Sequence, residues 1–195
     1  MKKLIAFIMT AGMFLASHPA LAATYTVDPV HSTIGFKATH LMVSQVEGLF
    51  TDYTSDVSFD SKDLAGSKIN VTIKTASINT RNDQRDEHLR SADFLDAANQ
   101  PTITFASKSI TGSGENYTLV GDLTIRGVTK ELSIPVSILG PVKSPFGFDA
   151  LGISGSTVIN RQDFGVSWNK QLDQGGVVVS DDVRIEFNLE AHSGK

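Results

Sequence analysis

Residues 117–138 read YTLVGDLTIRGVTKELSIPVSI. Tyr117, Leu119, Leu123 and Ile125 alternate with Thr118, Asp122, Thr124 and Arg126. Beyond Arg126-Gly127-Val128, Leu132, Ile134, Val136 and Ile138 alternate with Ser133, Pro135 and Ser137. A period of two places the apolar side chains on one face of a strand and the polar ones on the other. A connection this short makes the two strands antiparallel neighbours. Together they present an apolar face that has to be buried.

The same period recurs on both sides. It runs through Ile34, Phe36, Ala38 and His40, through Val57 and Phe59, and through Ile69, Val71 and Ile73. It returns at Ile103 and Phe105, more weakly over Ile153 to Ile159, and at Val183, Ile185, Phe187 and Leu189. Glycine-rich joints at Thr111 to Gly114 and Gly140 to Gly147 read as turns. About eight one-faced strands predict an all-β antiparallel fold, closed into a barrel or stacked as a sandwich. A barrel of about eight strands has room inside for one small ligand.

Asn79 to Asn99 breaks the alternation. Leu89, Ala92 and Leu95 recur at helical spacing, and Asp86 and Arg90 stand in the favourable i,i+4 order. One or two short helices are expected there, ending before Pro101 and lying near the barrel opening. Arg81, Arg85, His88 and Arg90 suit an anionic head group, because a guanidinium makes paired hydrogen bonds to phosphate or carboxylate. Asp83, Asp86, Glu87 and Asp93 offer internal neutralisation instead.

Residues 1–22 read as a cleaved signal peptide. Lys2 and Lys3 precede the apolar run Leu4 to Ala16, and Ala20-Leu21-Ala22 supplies small residues for cleavage. No Cys follows, which excludes a lipoprotein anchor, and no later run suits an integral membrane helix. Residues 23–195 are therefore expected to form a single exported, periplasmic domain. Losing Lys2 and Lys3 takes the formal charge from −4 to −6, a poor balance for a nucleic-acid partner. The chain has no cysteine, so disulfides and thiolate chemistry are excluded.

Catalytic signals are sparse. H-E-x-x-H, G-x-S-x-G and phosphate-loop patterns are missing. Ser167 and Lys170 match S-x-x-K without its partner motifs. The enzymatic alternative is a hydrolase or metal-dependent site built from His31, His40, His88 and a carboxylate such as Asp28 or Asp86. The favoured reading has no catalytic residue, no metal ligand set and no required cofactor.

Longer motifs run through the chain. They include Tyr25-x-Val-Asp28 with His31-Ser32, then Phe36, His40, Gly48-x-Phe50 and Ser77-Ile78-x-Thr80. Arg85 to Leu95, Pro101 with Phe105, Gly121 to Lys130 and Asp163-Phe164-Gly165 follow. With these the chain resembles the YceI-like family of exported bacterial proteins. The resemblance implies an extended lipocalin-like β-barrel enclosing an apolar tunnel for a polyisoprenoid or similar long-chain lipid, and no catalysis. On that reading Phe36, His40, Val57, Phe59, Val71, Ile73, Phe105, Leu119, Leu123, Ile125 and Phe187 line the tunnel. Arg81, Arg85, His88 and Arg90 border its mouth. The expected partner is the lipid itself, a quinone-like or polyprenyl chain, with a homodimer allowed.

Overall fold

The computed structural model describes residues 22–194. All but the last residue of the expected leader lies outside the described residues. Eleven strands are present among them: β1 (Ala23–Val27), β2 (Thr33–His40), β3 (Ser44–Phe50), β4 (Tyr53–Phe59), β5 (Lys68–Lys74), β6 (Ile78–Asn79), β7 (Thr102–Ser113), β8 (Asn116–Ile125), β9 (Val128–Lys143), β10 (Asp149–Asn160) and β11 (Val179–Ser193). One α-helix, α1 (Asp83–Arg90), joins β6 to the loop before β7.

Eight strands close a ring in the order β1-β4-β5-β7-β8-β9-β10-β11, with β1 pairing again with β11. Every pairing is antiparallel. The long β11 is shared. Ala191 and His192 pair with β1, whereas Val179 to Asn188 pair with β2. The β2-β3 hairpin thus continues the wall where β1 leaves it, and β6 pairs with Leu49 and Phe50 of β3. Register shifts at Ser107/Ser109, Ala150/Gly152 and Val179/Val183 bend the long strands as bulges do.

The alternation fixes which side chains face inward. Along β8, Tyr117, Leu119, Gly121, Leu123 and Ile125 are all buried. Outward residues carry the charge. Lys108 on β7 reaches Asp122 on β8 and Glu131 on β9 beyond it, whereas Lys37 on β2 reaches Glu47 and Glu186 on the strands to either side. One end of the barrel is packed shut around Tyr25, Val57, Phe59, Tyr117, Ile138, Leu151 and Ala191. There Phe59 meets Tyr117 edge to face, with ring centroids 5.6 Å apart.

One short helix forms in this segment and ends before Pro101, as expected. Asn82 caps its start by accepting the Arg85 N–H, and Asp83 and Asp86 sit favourably in its first turn. It stops at Ser91, whose backbone is extended (φ −70°, ψ 172°). Ala92 and Leu95 lie past it in a chain of turns that includes Asp96 at φ 51°. The Asp86–Arg90 ion pair does not form. Asp86 is buried and accepts from the Thr80 N–H (2.8 Å) and hydroxyl (2.5 Å), while Arg90 donates to the carbonyls of Ala76 and Ile78, each at 2.7 Å.

Candidate functional site

The barrel interior is neither solid nor wide open. A cavity of about 80 Å³ sits among Val71, Phe105, Leu119, Leu132, Ile134 and Phe187. Next along the axis is one of about 160 Å³, bounded by Phe36, Phe50, Ile78, Leu89, Phe94 and Ile125. The two share Ile34, Ile73, Ile103, Leu123 and Ile185 as walls. A third, about 420 Å³, opens beside α1 and is lined by His40, Val46, Asn82, Gln84, Arg85, His88 and Trp168. It shares Phe36, Ala38, Leu89, Phe94 and Val179 with the second. The three adjoin in a row and mark an apolar path from the barrel's middle to a mouth, partitioned by the side chains they share. A wider concavity of about 740 Å³ lies elsewhere, across β8 to β11. It is open to solvent and edged by outward groups such as Thr118, Ser137, Ser154 and Glu186.

Three inward phenylalanines line this path in one way. The ring of Phe36 covers Gly48, that of Phe105 covers Gly121, and that of Phe187 covers Gly155. Each glycine faces inward on a neighbouring strand. Without a Cβ, it lets the ring lie close against the wall rather than across the lumen.

The mouth is aromatic. His88, Phe94 and Trp168 pack together with centroids 5.0–5.1 Å apart, His88 standing edge-on to both others. Phe94 separates mouth from inner cavity, and its carbonyl is held by Arg126 Nη1 at 2.5 Å. The β2-β3 turn beside it exposes Leu41, Met42 and Val43, with Leu41 and Met42 in the left-handed region (φ 49° and 62°).

The expected lining residues divide. Phe36, His40, Val71, Ile73, Phe105, Leu119, Leu123, Ile125 and Phe187 border the path. Val57 and Phe59 do not. Their faces are consumed by packing at the shut end, where Val57 is 1% exposed.

The expected cations need more correction. Arg85 and His88 line the mouth. However, the Arg85 guanidinium is bound to the Thr80 hydroxyl (2.7 Å) and carbonyl (2.8 Å), and His88 pairs with Asp93 at 3.0 Å. Arg90 is spent on backbone carbonyls, and exposed Arg81 does not border the path. Both Arg85 and Arg90 serve to tie α1 to the strand before it.

The arginine that borders the inner cavity is Arg161, which the sequence reading missed. It is 5% exposed. It donates to the carbonyls of Ser180 (2.9 Å), Val166 (2.6 Å) and Trp168 (2.9 Å) and to Asp181 Oδ1 (3.0 Å). Burial lowers its pKa, against the opposing pull of Asp181. It staples the loop carrying Trp168 to the start of β11.

The histidines of the enzymatic alternative do not converge. His31 precedes β2 and His40 ends it, so that strand's length of about 23 Å lies between them. Ser32 cannot serve His31 as nucleophile while its hydroxyl is bound to the backbone of Glu190. His40 and His88 do share the mouth, but the carboxylate bonded there is Asp93, on His88, whereas Asp28 is bonded to His31 and Asp86 to Thr80.

The model of the YceI-like domain matches residues 25–191. The chain belongs to this family. The UPF0312 protein SAB2563 of Staphylococcus aureus (strain bovine RF122 / ET3-1) is 41% identical over 167 residues, spanning 85% of this chain and 95% of that protein. Among solved structures, the Campylobacter jejuni YCEI protein superposes with a TM-score of 0.70 at 34% identity, covering 80% of this chain and 90% of its own. A polyisoprenoid binding domain from Saccharophagus degradans, implicated in plant cell wall breakdown, has the same TM-score at 16% identity over 89% and 99%. That last likeness is one of fold. Family members thus share the closed barrel, and the lining described above is this chain's version of its interior.

Proposed function

We propose that this protein sequesters or carries a long isoprenoid chain, or a similar slim amphiphile, non-covalently inside the barrel after export to the periplasm. The observation that carries the reading is the row of adjoining apolar cavities from Leu119 and Phe105 to the mouth at Trp168, with Phe94 as the partition before the mouth. Each methylene moved from water into such a path contributes about 0.8 kcal/mol. Several isoprene units therefore outweigh the cost of ordering the chain. The fold's likeness to a domain described as polyisoprenoid binding supports this choice of ligand.

The path is narrow for its purpose. Inner cavities of about 80 and 160 Å³ fall below the roughly 300–1,000 Å³ of sites for compact ligands. A thin, flexible chain suits this bore better than a fused-ring molecule, and it enters by turning Phe94 aside. No catalysis is required, because solubilising such a chain is itself a function. Native mass spectrometry of protein exported by an isoprenoid-producing host tests the reading. A retained mass that dissociates as an apolar molecule is expected. Repeated recovery of bare protein would sink it.

A further inference from the structure

Far from the tunnel mouth, two segments distant in sequence bring ligand atoms together on the outside of the barrel. Asp28 and His31 lie in the turn between β1 and β2, and Glu190 lies near the end of β11. One oxygen of each carboxylate and one ring nitrogen of His31 all lie within 4.8 Å of one another.

The arrangement is held by backbone. The Asp28 N–H donates to the Glu190 carbonyl at 2.8 Å. The Ser32 hydroxyl donates to the same carbonyl at 3.3 Å and accepts from the Glu190 N–H at 2.9 Å. Asp28 Oδ1 is fixed by the Val30 N–H at 2.9 Å, which leaves Oδ2 toward His31 Nδ1 at 2.8 Å. His192 completes the surround. Its Nε2 meets Glu190 Oε1 at 2.7 Å, and its ring stacks on Phe148 at 3.9 Å. The His192 side chain is 9% exposed, whereas that of His31 is 62% exposed and held, among the described residues, only by Asp28.

We propose that Asp28, His31 and Glu190 form a binding site for a borderline divalent cation of the zinc class, with His192 orienting the Glu190 carboxylate from behind. Imidazole with two carboxylates suits such ions, and three protein ligands leave a position for water. At ligand distances of about 2.0–2.2 Å the donors must stand roughly 3.4 Å apart. The two atoms now 2.8 Å apart therefore separate slightly, and the third, within 4.8 Å of both, closes by at most about 1.4 Å. Side-chain rotation of His31 and Glu190 covers that range. A hydrogen bond behind a ligating carboxylate is the usual support for such a site. Ligands from β1-β2 and from β11 make the bound ion a clasp across the seam where the barrel closes. The site is independent of what the tunnel holds.

Isothermal titration of the intact chain with zinc chloride tests this. One ion per chain is expected, with a melting temperature that rises with zinc concentration. His31→Ala and Asp28→Asn should each weaken binding at least tenfold, while His40→Ala at the mouth leaves it unchanged. His31 is exposed, and at half-buried Asp28 the change to Asn keeps the oxygen that caps Val30, so neither substitution threatens the fold. Absence of saturable binding up to millimolar zinc would overturn the proposal. So would binding that survives His31→Ala or that disappears with His40→Ala.

Discussion

The Phe36 ring lies so close over Gly48, its cross-strand partner, that a Cβ at residue 48 would stand 2.5 Å from the ring's Cζ. The same Cβ would stand 2.9 Å from Thr80 Cγ2, and no backbone atom is among its three nearest contacts. In Gly48→Ala the ring must therefore swing inward, into the cavity it borders. The expected cost is about 1–3 kcal/mol, typical of overpacking. Urea unfolding should show a cooperative but weakened fold, and uptake of a fluorescent prenyl chain should fall more steeply than stability.

Gly121→Ala separates wall from ring. There the new Cβ would lie 2.6 Å from the Ala106 carbonyl oxygen and 2.9 Å from Ser107 Cα, as well as against Phe105. Backbone cannot yield as a side chain does. Destabilisation should exceed that of Gly48→Ala, read as a lower urea midpoint.

Phe94 stands between the mouth and the inner cavity and is 6% exposed. Phe94→Ala should cost about 3–5 kcal/mol through loss of buried ring contacts. It should also remove the barrier to entry. Stopped-flow measurement of prenyl-chain association is expected to show a faster on-rate despite the weaker fold.

The mouth cations are predicted to differ sharply. Arg81→Ala should leave stability within about 0.5 kcal/mol, as surface changes do. Arg90→Ala removes hydrogen bonds to Ala76 and Ile78, and Arg161→Ala strands the carbonyls of Val166, Trp168 and Ser180. Losses of about 2 kcal/mol or more are expected for Arg161→Ala, since each buried unpaired group costs about 1–3 kcal/mol. Denaturant titration of the three variants gives the order Arg81, Arg90, Arg161.

These contrasts show what the sequence could and could not reveal. All eight alternating segments are strands, because burial on one face writes itself as period two. β1, β3 and β6 went unread: β6 has two residues, and β3 places Gly48 at an inward position where an apolar residue would have signalled the face. Of the residues at helical spacing, Leu89 lies in the helix, whereas Ala92 and Leu95 keep that spacing in a segment that has already turned at Ser91. Arg81, Arg85 and Arg90 looked equivalent, since a side chain bound to a backbone carbonyl leaves no trace in composition. Arg161 sits beside Asp163-Phe164-Gly165, the only hint that the region mattered. The meeting of His31 with Glu190 depends on closure of the barrel seam, which no local pattern encodes.

A chain that occupies the lumen passes the protein's single tryptophan, which lines the mouth and so reports on its entrance. The most direct test follows Trp168 emission while wild type and Phe105→Gln are titrated with a prenyl alcohol, with the fold of each verified by circular dichroism. Phe105 lines the innermost cavity, far along the path from Trp168. A saturable one-to-one change in wild type, at least tenfold weaker in the folded variant, is the predicted result. No saturable change in wild type, or an equal change in both, would contradict it.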